Sequence, residues 1–422
     1  MKILHVIPAV APRYGGPSQA IIGLCRALQK QGLNVEICTT DADGQGRLPV
    51  ELGKRTLYEG LPFYFFRRDW SEAFKYSGSL KHWVDQHIAQ YDLVHIHGVF
   101  AHATYAAARA CQWRGVPYLV RPFGTLEPWS MHQKRPRKLV AWHAAFRRVI
   151  LRAVAIHYTT DQERTLTENS LGLRNGIVVP NGVDESLLLR HRNDQSRQGL
   201  GVPGNCPFLL ALSRIHPKKG IDLLLKAFVD LKALGHLADW HLVIAGDGES
   251  GYVRELQGLA HHTSAEPFVH WAGWLHDESK HAALSEASLF VLSSFQENFG
   301  IGVLEAMACA TPVLVSRQVG LAPAIAEHKA GWVATLNSEE LRNALLEAAR
   351  DPALLQARGA AARRLVAEEF TWSKIAARWS ATYEELLTGL KQGRATGTSV
   401  PLWQAVTTGS CHERSHDCHQ AR

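Results

Sequence analysis

Two patterns of apolar residues alternate along this chain. Compact apolar runs at 3–7, 34–39, 93–96, 117–120, 155–158 and 176–179 have the length of buried strands. Between several of them an apolar residue recurs every third or fourth position, at 18–31, 101–114 and 139–152, which is the spacing of one helix face. Strand and helix in turn predict a parallel sheet covered by helices. The periodicity stops at 191–206, where Arg, Asn, Gln, Gly and Pro mark a linker. Beyond it the alternation resumes, with strands at 208–212, 241–245, 268–272, 289–292, 313–315 and 331–334 and helices at 220–234, 252–261 and 277–285. The expected fold is α/β: two Rossmann-like doubly wound domains, 1–190 and 191–370, facing each other across a cleft. Helical spacing continues to 391, and the Gly-, Thr- and Ser-rich residues 392–422 read as a disordered tail.

Composition adds limits. The chain has 422 residues, 46% of them hydrophobic, enough for two cores, and no apolar run long enough to span a membrane. The apolar start is interrupted by His5 and Pro8 without a small-residue cleavage pattern, so it reads as a first strand and the protein as cytoplasmic. Cys25, Cys38, Cys111, Cys206 and Cys309 are isolated within apolar segments and read as core residues, whereas Cys411 and Cys418 lie in the tail among histidines. The net charge of +7 has one source. Lys134, Arg135, Arg137, Lys138, Arg147, Arg148 and Arg152 occur between Pro128 and Thr160 with no acid among them. Trp129, Trp142, Phe146, Val149 and Ile150 interleave with them, a pattern suited to an anionic membrane surface; no nucleic-acid module accompanies the charge.

Chemistry concentrates at the ends of expected strands. The stretch 294–315 carries Glu297 in a loop, Gly300 at a helix start and Glu305 within the helix. Donor N–H groups at Phe299, Gly300 and Ile301 lie between the two acids, an order that suits a ligand with hydroxyls at both ends and phosphate in the middle. In Leu212-Ser-Arg-Ile-His-Pro-Lys-Lys-Gly-Ile-Asp222, Arg214 and Lys219 can neutralise a diphosphate as charge develops on it, without a metal ion. Gly15 and Gly16, after the first strand, would bring backbone N–H groups close to the same phosphate. In Asp92-Leu-Val-His-Ile-His-Gly98, His97 is nearest the strand edge and is the candidate for a sugar contact, with His95 structural. Gly246-Asp-Gly-Glu-Ser-Gly251 matches a dinucleotide fingerprint, but it follows the second strand of its half and reads as a tight turn.

Together these residues resemble the family-4 retaining glycosyltransferases of the GT-B fold. The match runs from the Gly15-Gly16 loop through Pro180-Asn-Gly-Val-Asp184, Arg214 with Lys219, and Gly246-Asp-Gly248. It ends in the E-x7-E of Glu297 and Glu305 followed by Ala-Met-Ala-x-x-Thr-Pro-Val. The resemblance implies a nucleotide-diphosphate-sugar donor, no cofactor and no essential metal. It assigns the diphosphate to Arg214 and Lys219, the ribose to Glu305, the sugar to Glu297 with Asn298, Phe299 and Gly300, and first-domain contacts to Gly16 and His97. It further implies same-face attack without a dedicated base, and a last helix, 371–391, that crosses back to the first domain. Many relatives have a glycine pair and then an acid where this chain has Val319-Gly-Leu-Ala-Pro-Ala-Ile325, so the wall of the sugar pocket differs. The expected activity is transfer of a hexose to a lipid-linked or glycan acceptor in polysaccharide synthesis. The alternatives are a nucleotide-sugar epimerase or hydrolase of the same fold, and a non-catalytic nucleotide-sugar binding subunit.

Overall fold

The computed structural model describes residues 1–133, 135–190, 199–204 and 206–392. Most of the expected linker and the whole Cys/His tail therefore lie outside the described residues, as does Lys134 of the basic segment. The first half supplies β1 (Lys2–Ala9), β2 (Asn34–Thr40), the small hairpin β3 (Ala42–Asp43) and β4 (Gly46–Arg47), β5 (Arg55–Tyr58), β6 (Leu61–Phe66), β7 (Leu93–His97), β8 (Tyr118–Arg121), β9 (Ala155–Tyr158) and β10 (Gly176–Val178). Eight of these form one sheet in the order β10-β9-β8-β7-β1-β2-β6-β5. The sheet is parallel except at its edge, where β5 runs antiparallel to β6. That pair has no counterpart among the expected strands: β5 is short and mostly polar, and Pro62 inside the apolar run Leu61–Phe66 argues against a strand there except at an edge. Ile3 sits between Val35 and Leu93 in register, and all three are buried.

The second half forms a six-stranded parallel sheet from β11 (Phe208–Leu212), β12 (His241–Ala245), β13 (Val269–Gly273), β14 (Leu289–Leu292), β15 (Val313–Ser316) and β16 (Gly331–Ala334). Their order is β13-β12-β11-β14-β15-β16. In each sheet the order reverses once, between β1 and β7 in the first and between β11 and β14 in the second. Crevices open beyond the carboxyl ends of strands at such reversals, and the loops that follow β1, β11 and β14 carry the candidate residues.

The halves are joined by two passes of backbone. Val183 N–H donates to Phe370 O at 2.8 Å, and Trp372 N–H donates to Val183 O at 3.0 Å. The final helix, Trp372–Lys391, then packs on Gly16–Lys30 of the first half, as expected for a helix that crosses back. Ile375, Ala376, Trp379 and Tyr383 are buried there against Ile21, Leu24 and Leu28. A Cβ on Gly23 would fall 2.4 Å from the Trp372 ring, and one on Gly182 2.6 Å from it, so the indole seats only against glycine.

The basic segment is not a continuous amphipathic helix. Arg135–Ala141 and Arg147–Leu151 flank a wider turn at Trp142–Phe146. Trp142, Phe146, Val149 and Ile150 are buried in the core of the first half, so they hold the fold together and do not face a membrane. Arg135, Arg137, Arg147, Arg148 and Arg152 are exposed, with Leu139, Val140 and Leu151 beside them. Among the described residues no helix is long and apolar enough to cross a membrane.

Trp379 is fully buried and is among the largest side chains of its core. Trp379→Ala is expected to cost about 3–5 kcal/mol by leaving a cavity, read as a lower urea midpoint.

Candidate functional site

The acid-bearing loop begins where β14 ends and is tied down on two sides. Phe295 N–H donates to Lys218 O at 2.8 Å, and the Ser293 hydroxyl to Gly220 O at 2.8 Å. On the other side Glu297 N–H donates to Gln318 O at 3.0 Å, while Gly320 N–H donates to Glu297 O at 2.9 Å. A Cβ on Gly320 would lie 2.1 Å from Asn298 O, so this close approach requires glycine. Gly300, at φ +95°, then turns the chain into the helix Ile301–Ala308. The first N–H groups of that helix have no intrahelical acceptor and form the donor end of its dipole.

The Arg214 loop is braced by the turn that mimicked a dinucleotide fingerprint. Ser213 N–H donates to Ala245 O at 3.1 Å and Ile215 N–H to Asp247 O at 2.8 Å. A Cβ on Gly246 would meet Ser213 O at 1.9 Å, and one on Gly248 would meet Ile215 O at 2.1 Å. Those glycines permit two strand-end loops to touch. The helix that follows starts only at Ser250.

These loops meet loops of the first half around a cavity of about 510 Å³. Of the expected residues, Gly15, Gly16, Arg214, Lys219, Glu297, Asn298, Phe299, Gly300, Ile301 and Glu305 all line it. Gly16 lies close under the opposite wall: a Cβ there would be 3.2 Å from Ile301 Cδ1. Phe299 contributes backbone, since its ring is buried against Phe370. Lys219 forms an ion pair with Glu297, and Lys280 with Glu305 at 2.6 Å. Arg214 is exposed, and its guanidinium has no side-chain partner among the described residues. Asn298 Nδ2 donates across the cleft to Thr159 Oγ1 at 3.1 Å.

His97 does not reach this cavity. It is fully buried, with Nε2 3.0 Å from His5 Nδ1 and its ring facing Phe123. Because β7 lies inside the sheet between β1 and β8, its last residue is still covered by its neighbours. Arg121 and Phe123 line the cavity instead. Arg121 closes β8, is buried, donates to Asn181 Oδ1 at 2.5 Å and lies over the Phe123 ring. Burial pulls its pKa down to about 10. A charged residue closing an apolar strand was the sequence signal for it. Lys280, by contrast, reaches Glu305 from a separate helix, and nothing in its local sequence marks it.

Behind the cavity wall runs a chain of neutral imidazoles. His157 Nε2 lies 2.8 Å from Val179 O, which only accepts, so that nitrogen carries the proton and Nδ1 accepts. His95 Nε2, 3.2 Å away, therefore donates to it, and His95 Nδ1 accepts from the Tyr383 hydroxyl at 2.8 Å. Burial holds His95 and His157 well below the usual histidine range. His5, His95 and His97 come close enough together to suggest a metal site, but both nitrogens of His95 are already engaged in this chain. His95 is structural, as expected.

A second cavity, of about 230 Å³, shares Glu297 and Asn298 with the first. Glu127, buried at its wall, accepts from the Gln296 amide. Burial, opposed by Gln296 and reinforced by Glu163, pushes the Glu127 pKa up to about 7.

Residues 14–187 match the family described as Glycosyltransferase Family 4, and residues 192–365 match Glycosyl transferases group 1. A GDP-mannose:cellobiosyl-diphosphopolyprenol alpha-mannosyltransferase from Komagataeibacter xylinus is 24% identical over 92% of this chain and 94% of its own length. The Anabaena protein HepE, solved with UDP and glucose, is 21% identical with a TM-score of 0.71, covering 91% of this chain and 100% of the other. A sucrose-phosphate synthase from Thermosynechococcus elongatus is 20% identical with a TM-score of 0.74, covering 92% of this chain and 100% of the other. These likenesses identify the fold as GT-B.

Folding takes up a proton at Glu127, because its pKa rises from 4.5 to about 7. The stability it provides is complete below the unfolded value and is lost as pH rises through the folded one. Glu127→Gln removes this titration, so the variant should gain more in Tm over the parent at about pH 8 than at about pH 5 in thermal unfolding.

Proposed function

Because this chain belongs to the glycosyltransferases of the GT-B fold, with a family 4 first half and a group 1 second half, we propose that it moves a hexose from a nucleotide-diphosphate-sugar to a lipid-linked or glycan acceptor with retention. One observation carries this reading: the pairs Lys219–Glu297 and Lys280–Glu305 flank the start of the helix Ile301–Ala308 inside a single cavity faced by Gly15 and Gly16. Glu305 has the position to hold a ribose diol and Glu297 to hold sugar hydroxyls. The helix N-terminus, Arg214 and Lys219 would take the diphosphate between them.

In the transfer, the bond from the anomeric carbon to the diphosphate breaks as the acceptor oxygen bonds to the same carbon on the same face. The acceptor proton leaves with the diphosphate. Arg214 and Lys219 stabilise the charge that develops there, so the step does not call for a metal ion. Arg121 would add positive potential from the first half. Closure of the two halves would exclude water and limit donor hydrolysis. The named substrate of the Komagataeibacter relative, a sugar on diphosphopolyprenol, supports a lipid-linked acceptor, and UDP with glucose in HepE supports the donor class.

The exposed arginines of 135–152, beside Leu139, Val140 and Leu151, suit contact with the head groups of an anionic membrane, where such an acceptor resides. Only this outer face takes part, since Trp142 and Phe146 point inward.

Incubation with a panel of nucleotide-sugars should release nucleoside diphosphate from at least one. Lys219→Ala should lower that turnover by ~10²–10³-fold, the scale for removing one charge-stabilising donor; release from none, or an unchanged rate in the variant, counts against the reading. Replacing Arg147, Arg148 and Arg152 by Gln together should reduce sedimentation with phosphatidylglycerol vesicles and leave soluble-donor affinity intact. Undiminished sedimentation would exclude this face.

A further inference from the structure

The second cavity lies between the halves and shares Glu297 and Asn298 with the donor cavity. Its walls come from the segment 127–129 and the helix Asp161–Leu171 on one side, and from 295–298 and 318–320 on the other. The loop leading to it is built with some strain: Phe123 has φ +55°, a left-handed conformation costly for a side chain. Buried Glu163 fixes this loop by accepting from Gly124 N–H at 2.7 Å and Thr159 N–H at 2.8 Å.

The chemistry of the wall is one-sided. It presents Glu127, Gln162, Gln296 and Gln318 together with the rings of Trp129 and Phe295, and it includes no Lys, Arg or His. Gln296 is 7% exposed and its Oε1 has no partner among the described residues. Trp129 and Phe295 are 39% and 42% exposed, and the Lys218 ammonium lies 5.0 Å from the Trp129 ring centroid. Carboxylate and amide acceptors beside open aromatic rings match a neutral polyhydroxylated ring, which has hydroxyl donors at its edge and an apolar C–H face. An anionic ligand would be disfavoured by the Glu127 and Glu297 carboxylates of this wall.

Resting on the donor reading above, we propose that this second cavity receives the acceptor as a neutral sugar ring, with the attacking hydroxyl on Glu127 and the ring face against Trp129 and Phe295. The two cavities have Glu297 and Asn298 in common, so the acceptor hydroxyl and the donor's anomeric carbon meet beside these two residues. Glu127 forms no bond to the sugar. It accepts a hydrogen bond that aims the hydroxyl oxygen at the anomeric carbon, while the proton leaves with the diphosphate as described. Ionised Glu127 accepts that bond more strongly than protonated Glu127, whose carbonyl oxygen is a neutral acceptor. Its charged neighbours are Glu163, Lys218 and Glu297, so the acceptor-dependent rate should rise through neutral pH.

The test uses the full chain, a donor that it binds, and neutral octyl glucoside, galactoside and mannoside as probe acceptors beside octyl glucuronide. At least one neutral glycoside should stimulate nucleoside-diphosphate release. Glu127→Gln and Trp129→Ala should each raise its KM about tenfold or more, equal to ~1.4 kcal/mol, with donor Kd within about twofold. Glu127→Gln should also flatten the pH dependence between about pH 6 and about pH 8. Stimulation by no neutral glycoside, stimulation chiefly by the glucuronide, an unchanged KM, or donor affinity that falls in parallel overturns the acceptor assignment alone. A chain that binds no nucleotide-sugar overturns the donor reading and this proposal with it.

Discussion

A carboxylate drawn into a cleft loses water, and the structure compensates that loss twice around one helix. Glu297 is paired by Lys219 from the loop after β11, and Glu305 by Lys280 from the helix Asp277–Glu286. Leaving either acid without its cation would strand a partly buried charge, a loss on the order of 3–5 kcal/mol for fully buried pairs and less here. The two pairs thereby bind neighbouring segments to the β14 loop. Arg214, by contrast, has no side-chain partner among the described residues and lies at the same sheet edge, where a diphosphate can meet it.

Close backbone approach is the second constraint. Gly220, Gly246, Gly248 and Gly320 each let one loop lie against another at distances that a Cβ would forbid. Their common effect is to hold the ends of β11, β12 and β14 in one rigid rim. Across the cleft, Gly16 lets the first helix come up to Ile301. The site is thus shaped by absent side chains as much as by present ones.

The two halves are also coupled behind the cleft. Trp372 seats against Gly23 and Gly182, and Tyr383 begins the imidazole chain that ends on Val179 O. Two residues beyond Val179, Asn181 accepts from Arg121 at the cavity wall. The connection runs from the returning helix to a buried cation of the first half through groups that all remain neutral. Neutrality follows first from burial, which strips water from any protonated ring, and second from Arg121, whose charge repels another cation nearby.

Much of this was legible in the residues alone. Apolar run lengths determined two parallel α/β sheets, and the order of Arg214, Lys219, Glu297, Gly300 and Glu305 located one side of the cavity. Those features are local in sequence: a strand, its edge and the helix after it. The β5–β6 edge escaped because β5 is short and mostly polar and Pro62 interrupts the apolar run of β6, and Trp142, Phe146, Val149 and Ile150 of the basic segment proved buried because helical spacing does not say which face is inside. His97 needed tertiary structure, since exposure at a strand end depends on how far the neighbouring strands extend. Lys280, Gln296 and Glu127 are functional candidates only because distant segments bring them to Glu305, to one another and to Glu297. Sequence fixes which groups exist and which face they share; only packing decides which of them lose water together, and that loss gives a charge its partner and its pKa.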